Sequence, residues 1–131
     1  MSLRDEVDQV NQEFSKAVSN QDLDGVLEIY TPDAKLLPPG SPMLEGTANI
    51  RSFFQMMIDA GARAVELETV AVDGNNDLVV DVGRYRLTME PPGADPIVDV
   101  GKYVDVMKRQ PDGRLRFAYD IFNSDQAPPG A

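Results

Sequence analysis

Carboxyl groups, supplied by 22 Asp and Glu residues, are the side chains of this chain best suited to chemistry. The 131 residues include no His, no Cys and no Trp. This composition excludes disulfides, thiolate nucleophiles, Cys or His zinc sites and Ser-His-Asp triads. Proton transfer must therefore use Asp, Glu, Tyr or Lys, with Arg as an electrostatic partner. A carboxyl group buried among apolar side chains has a raised pKa and could act as acid or base near neutral pH.

Charge and hydropathy narrow the range of partners. The chain carries 12 Lys and Arg against 22 Asp and Glu, a net charge of −10, which repels nucleic acids and anionic membranes. The most apolar stretch, residues 53–58, is far shorter than a bilayer span, and the first residues lack the apolar segment of a signal peptide. No calcium-binding loop pattern is present. We therefore expect a cytoplasmic protein with no metal, no cofactor, no nucleic-acid partner and no membrane partner.

The first half of the chain predicts three helices and one short strand. Apolar residues at spacings of three and four predict a helix over about 3–19, with Ser2 as its N-cap. A shorter helix follows Asp22, and residues 34–37 are predicted to form a short strand. A third helix is predicted from near Thr47 to Gly61.

The second half predicts four strands joined by turns. Because their connections are too short for helical crossovers, these neighbouring strands should be antiparallel. The order α-α-β-α-β-β-β-β is typical of the α+β class, with helices on one face of a curved sheet. We expect one domain over 1–125 and a loose tail over 126–131. The predicted strands cover about 63–72, 78–90, 97–109 and 114–123.

Side-chain alternation leaves the position of Asp105 open. Valines occupy one face of the strand over 97–109, and Asp99, Tyr103 and Asp105 occupy the other. The simplest amphipathic interpretation buries the valines and leaves Asp105 in water. If both faces are covered, the valines instead form an interface and Asp105 points inward. The direction of Asp120 likewise depends on the strand register, which a one-residue slip reverses.

A short internal repeat lies on two adjacent predicted strands. Residues 79–85 read VVDVGRY, and residues 97–103 read IVDVGKY. Two copies are too few for a solenoid. We interpret the repeat as two neighbouring strands that solve the same packing problem, with each Gly allowing a bend or a close approach of another chain segment.

The segment order resembles the nuclear transport factor 2-like superfamily. The two-helix start, the YTPDA step at 30–34, the LEG at 44–46 and the late GKY strand at 101–103 carry this resemblance. Within the superfamily, the chain is similar to the small SnoaL-like and ketosteroid-isomerase-like proteins. The resemblance implies a cone, in which a curved antiparallel sheet wraps a long helix around an apolar pocket, and it implies homodimers formed through the convex sheet face.

The resemblance to ketosteroid isomerases does not carry their mechanism across. The general-base carboxylate falls on Pro38. The oxyanion-hole tyrosine of the first helix falls on Phe14, and its supporting tyrosine on the third helix falls on Phe54. Only the second oxyanion-hole acid finds a counterpart, in Asp105. Steroid isomerisation by that mechanism is therefore not expected.

A second comparison concerns the limonene-epoxide-hydrolase-like members of the superfamily. Asp120 resembles the acid on their last strand, and Arg84 or Arg86 would supply their arginine. The resemblance places aromatic side chains around the pocket, against the simpler interpretation that they are ordinary core. The proposed wall residues are Phe14, Tyr30, Phe54, Tyr103 and Phe122, with Arg84 as a possible clamp for a substrate carboxylate.

These inferences give two hypotheses for function. The first is a small-molecule pocket protein that uses Asp120 and Asp105 as a carboxylate-dependent isomerase, lyase or hydrolase on an apolar or cyclic substrate. The alternative is a non-catalytic dimeric ligand-binding or protein-interaction module on the same fold.

Overall fold

The fold consists of three helices packed against a six-stranded sheet. We describe it from a computed structural model, which covers residues 1–127. Most of the predicted tail at 126–131 lies outside the described residues. The helices are α1 (Leu3–Ser19), α2 (Leu23–Glu28) and α3 (Thr47–Asp59). The strands are β1 (Tyr30–Leu37), β2 (Leu44–Glu45), β3 (Ala62–Gly74), β4 (Leu78–Met89), β5 (Ile97–Arg109) and β6 (Leu115–Ser124).

Helices α1 and α2 begin at residues whose side chains cap them. Ser2 and Asp5 form a capping box, in which each side chain accepts a hydrogen bond from the other residue's backbone N–H. Asp22 caps α2 by accepting from the backbone N–H of Gly25. The buried face of α1 includes Val7, Val10 and Phe14, as its apolar periodicity predicts.

The sheet is curved and open, with the strand order β2-β1-β6-β5-β4-β3. Strands β3 to β6 form an antiparallel meander, which confirms the prediction drawn from their short connections. Two features were not predicted: β2 pairs antiparallel with β1, and β1 pairs parallel with β6. The predicted α+β class is thus confirmed, with the helices on the inner face of the sheet.

The inner and outer faces of the meander differ in character. Along β4 and β5 the odd-numbered residues face the helices, so Asp81, Tyr103 and Asp105 are buried. The valines of β5 point outward, and Val98, Val100 and Val104 are each more than a third exposed. The interpretation that buries the valines and leaves Asp105 in water is therefore wrong, because the helices cover the aspartate face.

The repeat on β4 and β5 is a reciprocal packing motif. Tyr103 lies opposite Gly83, and Tyr85 lies opposite Gly101. A methyl group added to either glycine would overlap the ring of the opposite tyrosine, so each ring lies against the bare backbone of its glycine. Each tyrosine hydroxyl also donates a hydrogen bond to the aspartate that precedes the opposite glycine by two residues. Tyr103 donates to Asp81 at 3.1 Å, and Tyr85 donates to Asp99 at 2.9 Å.

Candidate functional site

A cavity of about 90 Å³ lies between the helices and the inner face of the sheet. Helices α1 and α3 contribute Phe14, Phe53 and Phe54, and α3 also contributes Met57. The strands contribute apolar side chains, two tyrosines and two carboxyl groups. The strand residues that line it are Ala62, Val65, Leu67, Tyr85, Leu87, Tyr103, Asp105, Phe117, Asp120 and Phe122.

The polar part of this wall is the pair Asp105 and Asp120. The two residues face each other across β5 and β6, so their carboxyl groups are direct neighbours on the inner face of the sheet. Asp105 is 3% exposed and Asp120 is 8% exposed. Two carboxylates this close repel each other strongly when both are ionised in an apolar site. The pair therefore holds a shared proton at pH values where an isolated aspartate is charged.

The pKa shifts agree with this geometry. Burial raises the pKa of the Asp105 carboxyl well above its usual range, and the neighbouring charge of Asp120 raises it further. Burial also raises the pKa of Asp120, although hydrogen bonds from Asp105 and Tyr30 oppose the effect. Asp120 is thus the better candidate for the base of the pair, and Asp105 for the acid.

Tyr30 anchors Asp120 from behind the cavity wall. Its hydroxyl donates to Oδ2 of Asp120 at 2.6 Å, and burial together with that carboxylate raises the pKa of the phenol well above its usual value. Its ring packs edge-on against Phe117, with the ring centroids 5.2 Å apart. Tyr30 therefore holds Asp120 in place, whereas the sequence comparison had placed it in the wall.

A β-bulge aims Asp120 at the cavity. The pairing of β5 with β6 shifts between Val106 and Met107, so that Ala118 is an extra residue on β6. Phe117 faces inward before the bulge, and Asp120 faces inward after it. Without the bulge, strict alternation would turn Asp120 outward. The register that the sequence left open is thus decided in favour of an inward Asp120.

The other predicted site residues fall into two groups. Phe14, Phe54, Tyr103 and Phe122 line the cavity as expected. Arg84 does not, and this expectation is corrected: its side chain is 66% exposed on the outer face, where it pairs with Glu68 at 3.4 Å. The physical reason is the pleat of β4, which sends even-numbered residues away from the helices.

Sequence reasoning missed a third buried carboxyl group, that of Asp81. Its Oδ2 accepts hydrogen bonds from Nδ2 of Asn11 at 2.9 Å and from the Tyr103 hydroxyl at 3.1 Å. The sequence offered an indication of this, because Asp81 alternates onto the same face of its strand as Gly83 and Tyr85 of the repeat. Within residues 1–127, no group of three or more acidic side chains has the geometry to hold a metal ion.

Comparison with known proteins now identifies the family. A family model described as the SnoaL-like domain matches residues 11–117. The chain belongs to the SnoaL-like domain family. A search of curated proteins finds no match. In the part of the chain that the structure describes, no helix has both the length and the apolarity to cross a membrane.

Solved structures share the SnoaL-like fold over nearly the whole chain. A ketosteroid isomerase-like protein from Erwinia carotovora atroseptica is 14% identical, with a TM-score of 0.83 and coverage of 94% of this chain and 96% of that one. A Streptomyces avermitilis protein of the NTF2-like family, provisionally assigned as a dehydratase, is 16% identical, with a TM-score of 0.78 and coverage of 95% and 97%. An NTF2-like protein with a cystatin-like fold from Novosphingobium aromaticivorans is 16% identical, with a TM-score of 0.79 and coverage of 98% and 85%. At these identities the likeness shows the fold alone.

Proposed function

We propose that this SnoaL-like protein is an enzyme that performs general acid–base chemistry on a small, neutral, apolar or cyclic substrate. The observation that carries the proposal is the pair of buried, directly neighbouring carboxyl groups of Asp105 and Asp120 at an apolar cavity. A pair that shares one proton offers an acid and a base side by side near neutral pH. The reaction classes that need such a pair are isomerisation, elimination of water and hydrolysis of an epoxide.

The roles within the pair follow from their hydrogen bonds. Asp120, which accepts from Tyr30, takes a proton from a carbon acid or from an attacking water molecule. Asp105 gives its proton to the oxygen of a carbonyl, hydroxyl or epoxide group as negative charge develops there. In elimination and epoxide hydrolysis, transfer of the proton from Asp120 to Asp105 after product leaves restores the starting state. In isomerisation, Asp120 instead returns its proton to a different carbon of the enol, and Asp105 takes back the proton that it gave to the oxygen.

The walls favour a neutral substrate of modest size. Among the described residues, no Lys or Arg lines the cavity, so a carboxylate or phosphate group would meet two acids and no cation. The cavity of about 90 Å³ is smaller than the roughly 150 Å³ that holds benzene. Binding a ring therefore requires partly exposed side chains of α3, such as Phe53 and Met57, to move aside.

A substrate screen with matched variants tests the proposal. Cyclic enones, β-hydroxy ketones and cyclic epoxides are incubated with the protein, and turnover is followed by absorbance or mass spectrometry. Loss of a carboxyl group that acts as base or acid is expected to lower kcat by about 100-fold or more in Asp120→Asn and Asp105→Asn. Asp95→Asn makes the same charge change in the exposed loop before β5 and should leave kcat unchanged.

The alternative, a non-catalytic binding module, predicts a different result. Ligands would then raise the melting temperature or shift NMR signals of cavity residues, while no compound is converted. Equal binding by the wild type and by Asp120→Asn, with no turnover by either, would favour this alternative over the enzyme.

We also propose that the protein is a homodimer through the outer face of the sheet. The register places Val82, Val104 and Ile121 side by side across β4, β5 and β6, and all three are more than a third exposed. A contiguous apolar patch of this kind is typical of an interface. The Arg84–Glu68 ion pair beside it supplies both signs of charge, which a second copy can match in a two-fold arrangement.

Sedimentation velocity tests the dimer. We expect a dimer for the wild type and a monomer for Val104→Lys, because the variant places two cations in the middle of a closed apolar contact. Lys16→Glu, a charge change on α1 away from this face, should stay dimeric. A monomeric wild type at all concentrations would contradict the proposal.

A further inference from the structure

Three buried aspartates form a row across three neighbouring strands. Asp81 on β4 lies opposite Asp105 on β5, and Asp105 lies opposite Asp120 on β6. Their exposed fractions are 0%, 3% and 8%. Directly paired residues on one sheet face have Cβ atoms about 5 Å apart, so Asp105 lies between two acidic neighbours. Asp81 is not part of the cavity wall, and the acid–base pair therefore has a third carboxyl group behind it.

The hydrogen bonds of the row differ from one aspartate to the next. Oδ2 of Asp81 accepts from Asn11 and Tyr103, and Oδ2 of Asp120 accepts from Tyr30. Donors of this kind stabilise the negative form of a carboxyl group. Asp105 accepts from no N–H group and from no tyrosine hydroxyl in the described chain. Its Oδ1, like that of Asp81, is buried without a partner there.

The charged and polar neighbours of Asp105 are acids and phenols. They are Asp81 from β4, Asp120 from β6, Tyr103 from β5 and Tyr30 from β1. Among the described residues, no Lys or Arg lines the cavity beside Asp105. Protonation of Asp105, the middle group, therefore reduces the electrostatic repulsion along the row more than protonation of either end would.

We propose that Asp81 is a positioning residue whose negative charge keeps the shared proton on Asp105 rather than on Asp120. The row then has a fixed order, with a charged outer member, a neutral acid in the middle and a charged base at Asp120. This order of protonation describes the protein without substrate. Only its usefulness for catalysis rests on the proposed function.

Carbon-detected NMR of the side-chain carboxyl groups tests this order directly. The measured quantity is the upper titration midpoint of the Asp105–Asp120 pair in the full-length protein, first in the wild type and then in Asp81→Asn. The variant keeps an oxygen acceptor for Asn11 and Tyr103 but removes the charge. For charges about 5–7 Å apart at an effective dielectric constant near 20, the midpoint should fall by about two pH units.

The repeat offers a matched control in Asp99. It also accepts from a tyrosine hydroxyl, that of Tyr85, and lies on the same strand as Asp105. Six residues of extended chain place it about 20 Å from Asp105. Asp99→Asn removes the same charge and should move the midpoint by less than about 0.3 pH units.

The outcomes separate the proposal from a purely structural role for Asp81. A role limited to joining α1 to the sheet would change the free energy of unfolding in Asp81→Asn and leave the midpoint in place, which would overturn the proposal. An equal shift in Asp99→Asn would overturn it as well. If Asp81→Asn does not fold by circular dichroism, Asp81→Ser, with a smaller acceptor, is titrated instead and judged by the same shift. Because no substrate is involved, absence of turnover would leave this result intact.

Discussion

The acid pair makes a specific prediction for stability against pH, tested by Asp105→Asn. Burial raises the folded-state pKa of both carboxyl groups, while in the unfolded chain an aspartate titrates near about 3.9. Between these values the folded protein binds more protons than the unfolded chain, so the free energy of unfolding falls as pH rises. The stabilising effect is complete below the unfolded pKa and is lost as pH rises through the folded pKa.

The size of the effect follows from linkage. One extra bound proton lowers the free energy of unfolding by about 1.4 kcal/mol per pH unit, or about 2.7 kcal/mol over two pH units of this window. Asp105→Asn removes the shared proton and leaves Asp120 with its Tyr30 donor. The variant should therefore show a flatter pH dependence and should be more stable than the wild type at neutral pH.

Three other carboxyl groups have lowered pKa values, so their effect on stability against pH has the opposite sign. Hydrogen bonds to Ser2 lower the pKa of Asp5, the Arg109 side chain lowers that of Glu6, and the backbone of Arg114 lowers that of Asp112. Their contributions to the free energy of unfolding are present above their ordinary pKa values and are lost as pH falls through the lowered folded pKa values.

Urea unfolding followed by circular dichroism provides the assay, at several values between about pH 4.5 and about pH 7.5. Asp95→Asn, in an exposed loop, controls for the change in net charge and should parallel the wild type. A wild-type free energy of unfolding that is flat across this range would refute the reasoning. So would an Asp105→Asn variant with the wild-type slope.

Three further predictions concern residues around the site. Tyr30→Phe should lower the free energy of unfolding by about 1–3 kcal/mol, measured by urea unfolding, because Asp120 keeps its burial and loses its donor; an unchanged value would contradict the anchoring role of Tyr30. Gly83→Ala should cost about 1–3 kcal/mol in the same assay, because the added methyl group overlaps the Tyr103 ring. Arg84→Ala should change the free energy of unfolding by less than about 0.5 kcal/mol and should leave ligand affinity unchanged, because the side chain is exposed on the outer face. A clear loss of affinity by calorimetry would show that Arg84 belongs to the binding site.

Local sequence rules predicted the helices and most of the meander. The capping box at Ser2 and the apolar stripe of α1 are encoded within a few residues of each other, so the helix is found where the pattern places it. Strand β2 was missed because it has two residues and exists only through its pairing with β1. The parallel contact of β1 with β6 joins segments about 85 residues apart in sequence, and no local pattern specifies it.

The sequence by itself therefore determined which chemistry is open to this protein. The lack of His and Cys leaves carboxyl groups and phenols as the acid–base groups, and alternation placed Asp105 and Tyr103 on one face of a strand. Alternation defines two faces, but only packing decides which one the helices cover. The tertiary structure turned the aspartate face inward, and the bulge at Ala118 brought Asp120 to the same side. The Tyr30–Asp120 hydrogen bond spans 90 positions of sequence, and it forms only because the whole sheet brings β1 beside β6.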